Sequence, residues 1–400
     1  MGVRPFFRKT PPRHPMQIFS CDHCGHPVFF ENVQCLQCGS ALAFVPERMA
    51  VTAIEPVDTQ QATPADPQMP APEPTWRPRS TDDGAALQYR LCQNQTRYQA
   101  CNFTVAADDP QALCMSCRQT RILPDLSVPE NVPRWVRIET AKRRLLYTLL
   151  RLGLADPRAS EGPVYQFLAD LPGQAPVMTG HAAGVITLNV AEADDDERAR
   201  RRVQLFEPYR TLLGHLRHES GHYYWDQLVR DHPDRLTDFR ALFGDETQNY
   251  MQALQAHYAA GDGKPDWRPN FVSAYAAAHP WEDWAETWAH YLHMVDLLET
   301  AASYRTRIVL PSADGARPSR PADPFEQGAS SFDTWIAQWV PVTLLLNSLN
   351  RSLGQDDAYP FALSEHALRK LRFVHDVIAQ AGTPAQPAAP AEAAVQPATA

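Results

Sequence analysis

The sequence predicts a mixed α+β protein, mainly helical, whose helical domain follows small four-cysteine modules. Three observations carry that expectation. All eight cysteines fall before residue 118, at spacings suited to metal. From about Val128 onward, apolar residues recur at helical spacing. One stretch, "PVMTGHAAGVITLNV" at 176–190, instead alternates β-branched residues about a glycine-containing turn, the pattern of a small hairpin. A chain of 400 residues, 44% of them hydrophobic, can bury a large core and has the length of two or three domains. Its net charge of -9 argues against broad nucleic-acid binding, which needs a basic surface. No apolar run approaches the roughly 20 residues that cross a bilayer. The basic start "MGVRPFFRKTPPRHP" lacks the apolar centre of a secretory signal. The expectation is a cytoplasmic protein with no membrane association.

Residues 1–15 are expected as a disordered Pro- and Arg-rich extension, with Met16 a candidate start of translation. Cys21, Cys24, Cys35 and Cys38 then make C-x2-C-x10-C-x2-C, with Gly25 and Gly39 directly after the paired cysteines. Each C-x2-C loop turns two thiolates toward one ion, and glycine permits the tight turn behind them. Residues 16–48 are therefore expected as a structural zinc ribbon. Residues 49–80 are Pro-rich with little apolar pattern and are expected as a linker. Cys92, Cys101, Cys114 and Cys117 form a looser set, C-x8-C-x12-C-x2-C, for which free thiols remain the alternative. Two tetrads that use every cysteine favour two closed zinc sites in a reducing compartment, the second within 81–127. The helical domain is expected over 128–380, and the Ala/Pro-rich residues 381–400 as a disordered tail.

Within that domain, "ETAKRRLLYTLLRLGL" at 139–154 is amphipathic, with Leu145, Leu146, Leu149 and Leu152 inward. Helices are also expected at 332–352 and at 364–380, the latter with Ser364 as N-cap. The acidic run "EADDDE" faces "RARRR" and is expected to cap the next helix rather than bind metal. A further helix runs from 207 to about 228, with Leu212, Leu213, Leu216 and Tyr223 at helical spacing, Pro208 in its first turn and Pro233 beyond its end. Gly214 and Gly221 each lower helix propensity there by up to about 1 kcal/mol, expected where another element approaches closely. This helix carries "LRHESGHYYWD". His218 and His222 stand one turn apart, so both imidazoles can reach one metal ion. Glu219 points about 100° round the helix, beside the open position of such a metal. The alternative is two core histidines.

A catalytic zinc site needs a third protein ligand and leaves a position for water. "HPWEDWAETWAHYLHMVD" at 279–296 offers one. Pro280 suits a first turn, and Trp284, Trp288, Leu292, Val295 and Leu298 form the apolar stripe of a buried helix. Glu282, Glu286 and His293 form a separate stripe, and carboxylates on an otherwise apolar helix are costly unless paired with protons, cations or metal. Glu282 is assigned as the zinc ligand and Glu286 as acceptor for the outer N–H of a ligating histidine. The reverse assignment, Glu286 on the metal, stays open. His290, His293 and His215 are expected to make ordinary core hydrogen bonds.

H-E-x-x-H followed by a helix bearing E-x-x-x-[DE] resembles the gluzincin metallopeptidases, in which the first acidic residue binds zinc and the second orients a histidine. "EDWAE" is similar to the E-F-F-A-E helix of the anthrax lethal factor catalytic domain. That resemblance implies a transition-state role for Tyr275, which stands seven residues before Glu282; the residues alone make it a core aromatic. Together with "CMSCRQTRILPDL" and the cysteine-rich front, nearly all of residues 16–380 resembles the bacterial zinc-binding metallopeptidase family. The resemblance implies a zincin-like catalytic domain over 128–380. The chain departs from the thermolysin-type pattern in lacking Asn before the ligand and in having Glu for the final Asp.

The expected chemistry is hydrolysis of a peptide or related amide bond, with one catalytic zinc on His218, His222 and Glu282 and up to two structural zinc ions on the cysteines. Glu219 would act as general base. Tyr275 would donate to the oxyanion, and the strand "GVITLNV" could offer an edge to an extended substrate. The competing expectation is a zinc-dependent protein-binding module in which the ribbon recruits a partner and the H-E-x-x-H site is inert. Retention of Glu219 weighs against it, since a structural site needs no base. Nucleic acid is disfavoured as a ribbon partner because "CDHCGHPVFFENVQCLQCG" has no Lys or Arg.

Overall fold

The computed structural model describes residues 18–57, 74–80, 87–157, 162–205, 211–260, 266–310, 318–326, 331–360 and 362–381. The expectations for 1–15, for Met16 and for the tail after 381 lie outside these residues. At the front, a short hairpin of β1 (Phe19–Ser20) and β2 (Pro27–Val28) precedes an antiparallel sheet. That sheet pairs β3 (Ala41–Val45), β4 (Ala50–Pro56), β5 (Trp76–Pro78), β6 (Tyr89–Leu91) and β7 (Thr104–Ala106) in chain order. Its first and last strands also meet: the Phe44 N–H donates to the Asn102 carbonyl at 2.7 Å, and the Phe44 carbonyl accepts the Thr104 hydroxyl at 3.3 Å. The stretch 49–80 is thus not simply a linker. Its described ends are β4 and β5, inner strands of one sheet that spans both cysteine sets. Val51, Ala53 and Ile54 of β4 are buried, and that apolar content offsets what the nearby prolines imply. Residues 58–73, between those strands, lie outside the described residues.

Two short helices, α1 (Gln93–Tyr98) and α2 (Met115–Gln119), complete the cysteine-rich front, and α3 (Asn131–Arg151) joins it to the rest. α3 begins before the expected residue 139 because Pro133 sits in its first turn, where a missing N–H costs nothing. It feeds two cores. Trp135, Ile138, Leu145 and Leu149 enter the main helical core, while Leu146 and Tyr147 enter the front core. There the Tyr147 ring meets Phe30 and Phe44 edge-on at 5.6 and 6.0 Å.

A second sheet lies behind α3, built from β8 (Thr120–Ile122), β9 (Val164–Leu168), β10 (Gly180–Ala182) and β11 (Val185–Asn189) in the order β10-β11-β9-β8. β10 and β11 are the expected hairpin. Ala183 (φ 48°) and Gly184 (φ 81°) form its two-residue turn, both left-handed as such tight hairpins require. The expected substrate edge "GVITLNV" is corrected here: its strand, β11, is paired on both sides, and within the hairpin the edge strand is β10.

The remaining helices are α4 (Asp195–Leu205), α5 (Leu212–Trp225), α6 (Pro233–Phe243), α7 (Tyr250–Ala259) and α8 (Pro280–Ser303), followed by the strand pair β12 (Ile308–Val309) and β13 (Pro318–Ser319), then α9 (Phe332–Ser352) and α10 (Glu365–Ala381). Acidic residues open α4, and Arg198 and Arg200 pair back to Asp195 and Glu197. Ser364 accepts the Ala367 N–H at 3.1 Å, as an N-cap does. α5 opens on Thr211, whose hydroxyl accepts the Gly214 N–H at 2.9 Å; the expected start at 207 and Pro208 lie outside the described residues. α5 packs on α8 so closely that a Cβ at Gly221 would lie 2.9 Å from the Ala285 Cα. The Trp284 indole N–H donates to the Gly221 carbonyl at 2.8 Å across the same contact. Arg217 pairs with buried Asp296 of α8, which also accepts the Thr148 hydroxyl of α3 at 2.8 Å. Three helices are thereby tied together beside His218.

Candidate zinc centre

His218 and His222 lie one turn apart on α5, and Glu282 lies in the first turn of α8. Their ligand atoms fall within 4.8 Å of one another, and all three residues are buried. Glu282 Oε2 is 3.0 Å from His218 Nε2 and 3.6 Å from His222 Nε2. That buried oxygen accepts no hydrogen bond, nor does Glu219 Oε2 beside it. Two imidazole nitrogens and one carboxylate oxygen converging without donors to satisfy them fit a zinc ion, whose catalytic sites use this donor set. The electrostatics match. Burial opposes charge on Glu282, but the facing histidines outweigh it and hold its carboxyl well below the usual range. Burial likewise opposes charge on His218, and the facing carboxylates of Glu282 and Glu286 reverse the sign, placing it well above an ordinary histidine.

Glu286 stands on the other nitrogen of His218, with Oε1 2.7 Å from Nδ1, and its Oε2 accepts the Ser273 hydroxyl at 2.6 Å. It is outside the three-ligand set. Tyr275 opens a short 3-10 turn (Tyr275–Ala278), and its ring lies 5.8 Å from that of His218. Glu219 is buried; against the penalty of burial, the hydrogen bond from His215 and the charge of His218 lower its pKa. His215, expected to be an ordinary core residue, is therefore in contact with the proposed base. His290 and His293 turn elsewhere, to the Tyr359 hydroxyl and to Arg217, and burial pushes His290 down to about 4.

Several residues at the site have no signal in the sequence. The Tyr250 hydroxyl, from α7, donates to Glu282 Oε1 at 2.6 Å. The Trp281 ring lies 3.9 Å from that of His222, and the His181 ring of β10 lies 6.1 Å from each of them, stacked on His222. None belongs to a motif. Only proximity to Glu282 in the chain could have flagged Trp281, while Tyr250, His181 and Ser273 arrive by tertiary packing.

Both cysteine sets close. Cys21, Cys24, Cys35 and Cys38 gather into one group, and Cys92, Cys101, Cys114 and Cys117 into another, with no disulfide. Representative Sγ separations are 3.8 Å for Cys21–Cys38 and 3.6 Å for Cys101–Cys114. Gly25 (φ 75°) and Gly39 (φ 72°) take the left-handed turns behind the first pair of knuckles. In the second set the long first spacing is filled by α1, which returns the chain so that Cys101 meets Cys92 and Cys114.

Fold and site together define a zinc-binding protein with a ribbon-type front and a buried His/His/Glu centre. Residues 131–377 match the family model described as "Putative zinc-binding metallo-peptidase", and residues 18–128 match a zinc-ribbon domain. The chain belongs to that metallopeptidase family. Proteins named as uncharacterized in Mycobacterium bovis and Mycobacterium tuberculosis are 40% identical to it over 377 residues, covering 93% of this chain and 98% of each relative. No solved structure matches it.

Proposed function

We propose that this chain is a zinc-dependent metallopeptidase that hydrolyses a peptide or related amide bond, with Glu219 as general base. The observation that carries the reading is a buried carboxylate oxygen, Glu219 Oε2, left without a hydrogen bond beside a three-ligand set. A purely structural zinc site has no use for such a group. Zinc held by His218, His222 and Glu282 would supply a Lewis acid that polarises the scissile carbonyl and acidifies water. Glu219 takes the proton of the attacking water and later delivers it to the leaving amine. Glu286 fixes the tautomer of His218 by accepting from Nδ1, so Nε2 keeps its lone pair for the ligand set. Tyr275 donates a hydrogen bond where charge develops on the carbonyl oxygen. The gluzincin resemblance supports the same roles. β10, whose His181 faces His222, is the strand edge on which an extended substrate would pair.

The two cysteine sets would hold two structural zinc ions, giving three in all. Their thiols fit a reducing compartment such as the cytoplasm. No helix of the described residues is long and apolar enough to cross a membrane. A protein partner at the ribbon has one specific support. Phe29, Val33 and Leu36 are exposed around the first knuckles, Leu36 at 91%. If that surface were the whole function, the His/His/Glu centre would be inert. Substrate profiling by mass spectrometry, wild type against Glu219→Gln, separates the readings: cleavage products present only with wild type establish the peptidase, and none with either at full zinc content supports the binding module.

A further inference from the structure

Glu219 is itself held by a second buried carboxylate through a histidine. Its Oε1 lies 3.3 Å from Nε2 of His215, one turn earlier on α5. The opposite ring nitrogen, Nδ1, lies 2.7 Å from Glu192 Oε2. Glu192 comes from the 3-10 turn Val190–Ala193 between β11 and α4, and is 1% exposed. Its Oε1 accepts the Thr179 hydroxyl at 2.7 Å, and Thr179 in turn accepts the Asn189 N–H at 3.1 Å. Burying a carboxylate is costly unless it is fully held, and Glu192 is held from both sides in line with the imidazole. The acidic run that the sequence assigns to helix capping therefore gives its first member to the zinc centre instead.

His215 thus lies between two carboxylates, Nδ1 on Glu192 and Nε2 on Glu219. We propose that Glu192 and His215 are positioning residues for the reaction: Nε2–H of His215 anchors Glu219 Oε1, leaving Oε2 turned to the attacking water, while Glu192 fixes the ring. The inference rests on the reading of Glu219 as general base. The device resembles the carboxylate partners that orient metal-bound histidines, moved one step outward onto the base. Without the anchor the Glu219 side chain has other rotamers available, and general-base catalysis depends on hydrogen-bond reach to the proton it removes.

Glutamine places its amide nitrogen near the position of the histidine Nε2, and asparagine places it near Nδ1. In the zinc-loaded full chain, His215→Asn should lower kcat about 10 to 100-fold, the range for such supporting contacts, with KM and zinc content unchanged. His215→Gln should stay within a few-fold of wild type. Glu192→Gln should fall between them. A residue that merely fills space would give the same kcat loss in both His215 variants, which would overturn the proposal. A second readout needs no substrate: in protein labelled with ¹⁵N-histidine, the His215 Nε2–H should be protected from exchange in wild type and exposed in Glu219→Ala. An exchangeable Nε2–H in wild type contradicts the anchor. Should wild type cleave no substrate, the peptidase reading fails on its own, and the exchange measurement still decides whether His215 holds Glu219.

Discussion

Glu282 and Glu286 stand one helical turn apart and reach opposite nitrogens of the same histidine. On the proposed reading, one turn of α8 separates the zinc ligand from the group that orients it. Glu282→Gln should strip the catalytic zinc, measured by elemental analysis after dialysis, whereas Glu286→Gln should keep it and weaken affinity about 10 to 100-fold. The reverse result would exchange the two roles. The two tyrosines should also separate. Tyr250→Phe removes a hydrogen bond to the ligand Glu282 and should weaken zinc binding about tenfold. Tyr275→Phe should leave zinc affinity alone and cost turnover about 10² to 10³-fold, the worth of one oxyanion donor. Equal effects of both on zinc affinity would remove the distinction. The ligand spacing is legible in the sequence because i, i+4 geometry is local. Tyr250, Ser273 and Glu192 are not, since each reaches the site through contacts with residues 13 to 32 positions away in the chain.

At the scale of elements, the site depends on how near α5 comes to α8. Gly221, between His218 and His222 in sequence and close to Ala285, is what admits that approach. Gly221→Ala should overpack the interface by about 1 to 3 kcal/mol and loosen the ligand set. A lowered melting temperature with weaker zinc binding is the expected outcome, and an unchanged melting temperature would show that the helices can move apart freely. Helix α9 and the cap of α10 were readable because apolar period and capping residues agree there. β4 and β5 were not, because Pro-rich neighbours hide two short strands that pair with each other across a long stretch of chain, Glu55 opposite Arg77. The edge position of β10 likewise depends on β9 pairing with β11, a contact that the hairpin sequence does not encode by itself.

Across the whole molecule, the cysteine-rich front is docked on the helical domain rather than tethered to it, because α3 contributes to both cores. The second cysteine set lies at that junction. Buried Arg143 of α3 donates to the Ala100 carbonyl at 2.8 Å; burial works against its charge, and nearby Cys101 and Glu139, with Cys117 and Cys114, more than restore it. Lys142 reaches the Ser116 carbonyl at 2.8 Å. Cys114→Ser with Cys117→Ser should therefore remove one zinc and lower the melting temperature of the whole chain, while Cys21→Ser with Cys24→Ser should remove one zinc with a smaller loss. Equal losses would place the two sets on the same footing. The central claim is that the buried His/His/Glu centre is a working hydrolytic site, and the most direct measurement is turnover by Glu219→Gln on a peptide that wild type cleaves. The account predicts unchanged fold and zinc content with turnover reduced roughly 10² to 10⁴-fold; wild-type turnover in that variant, with zinc bound, would contradict it.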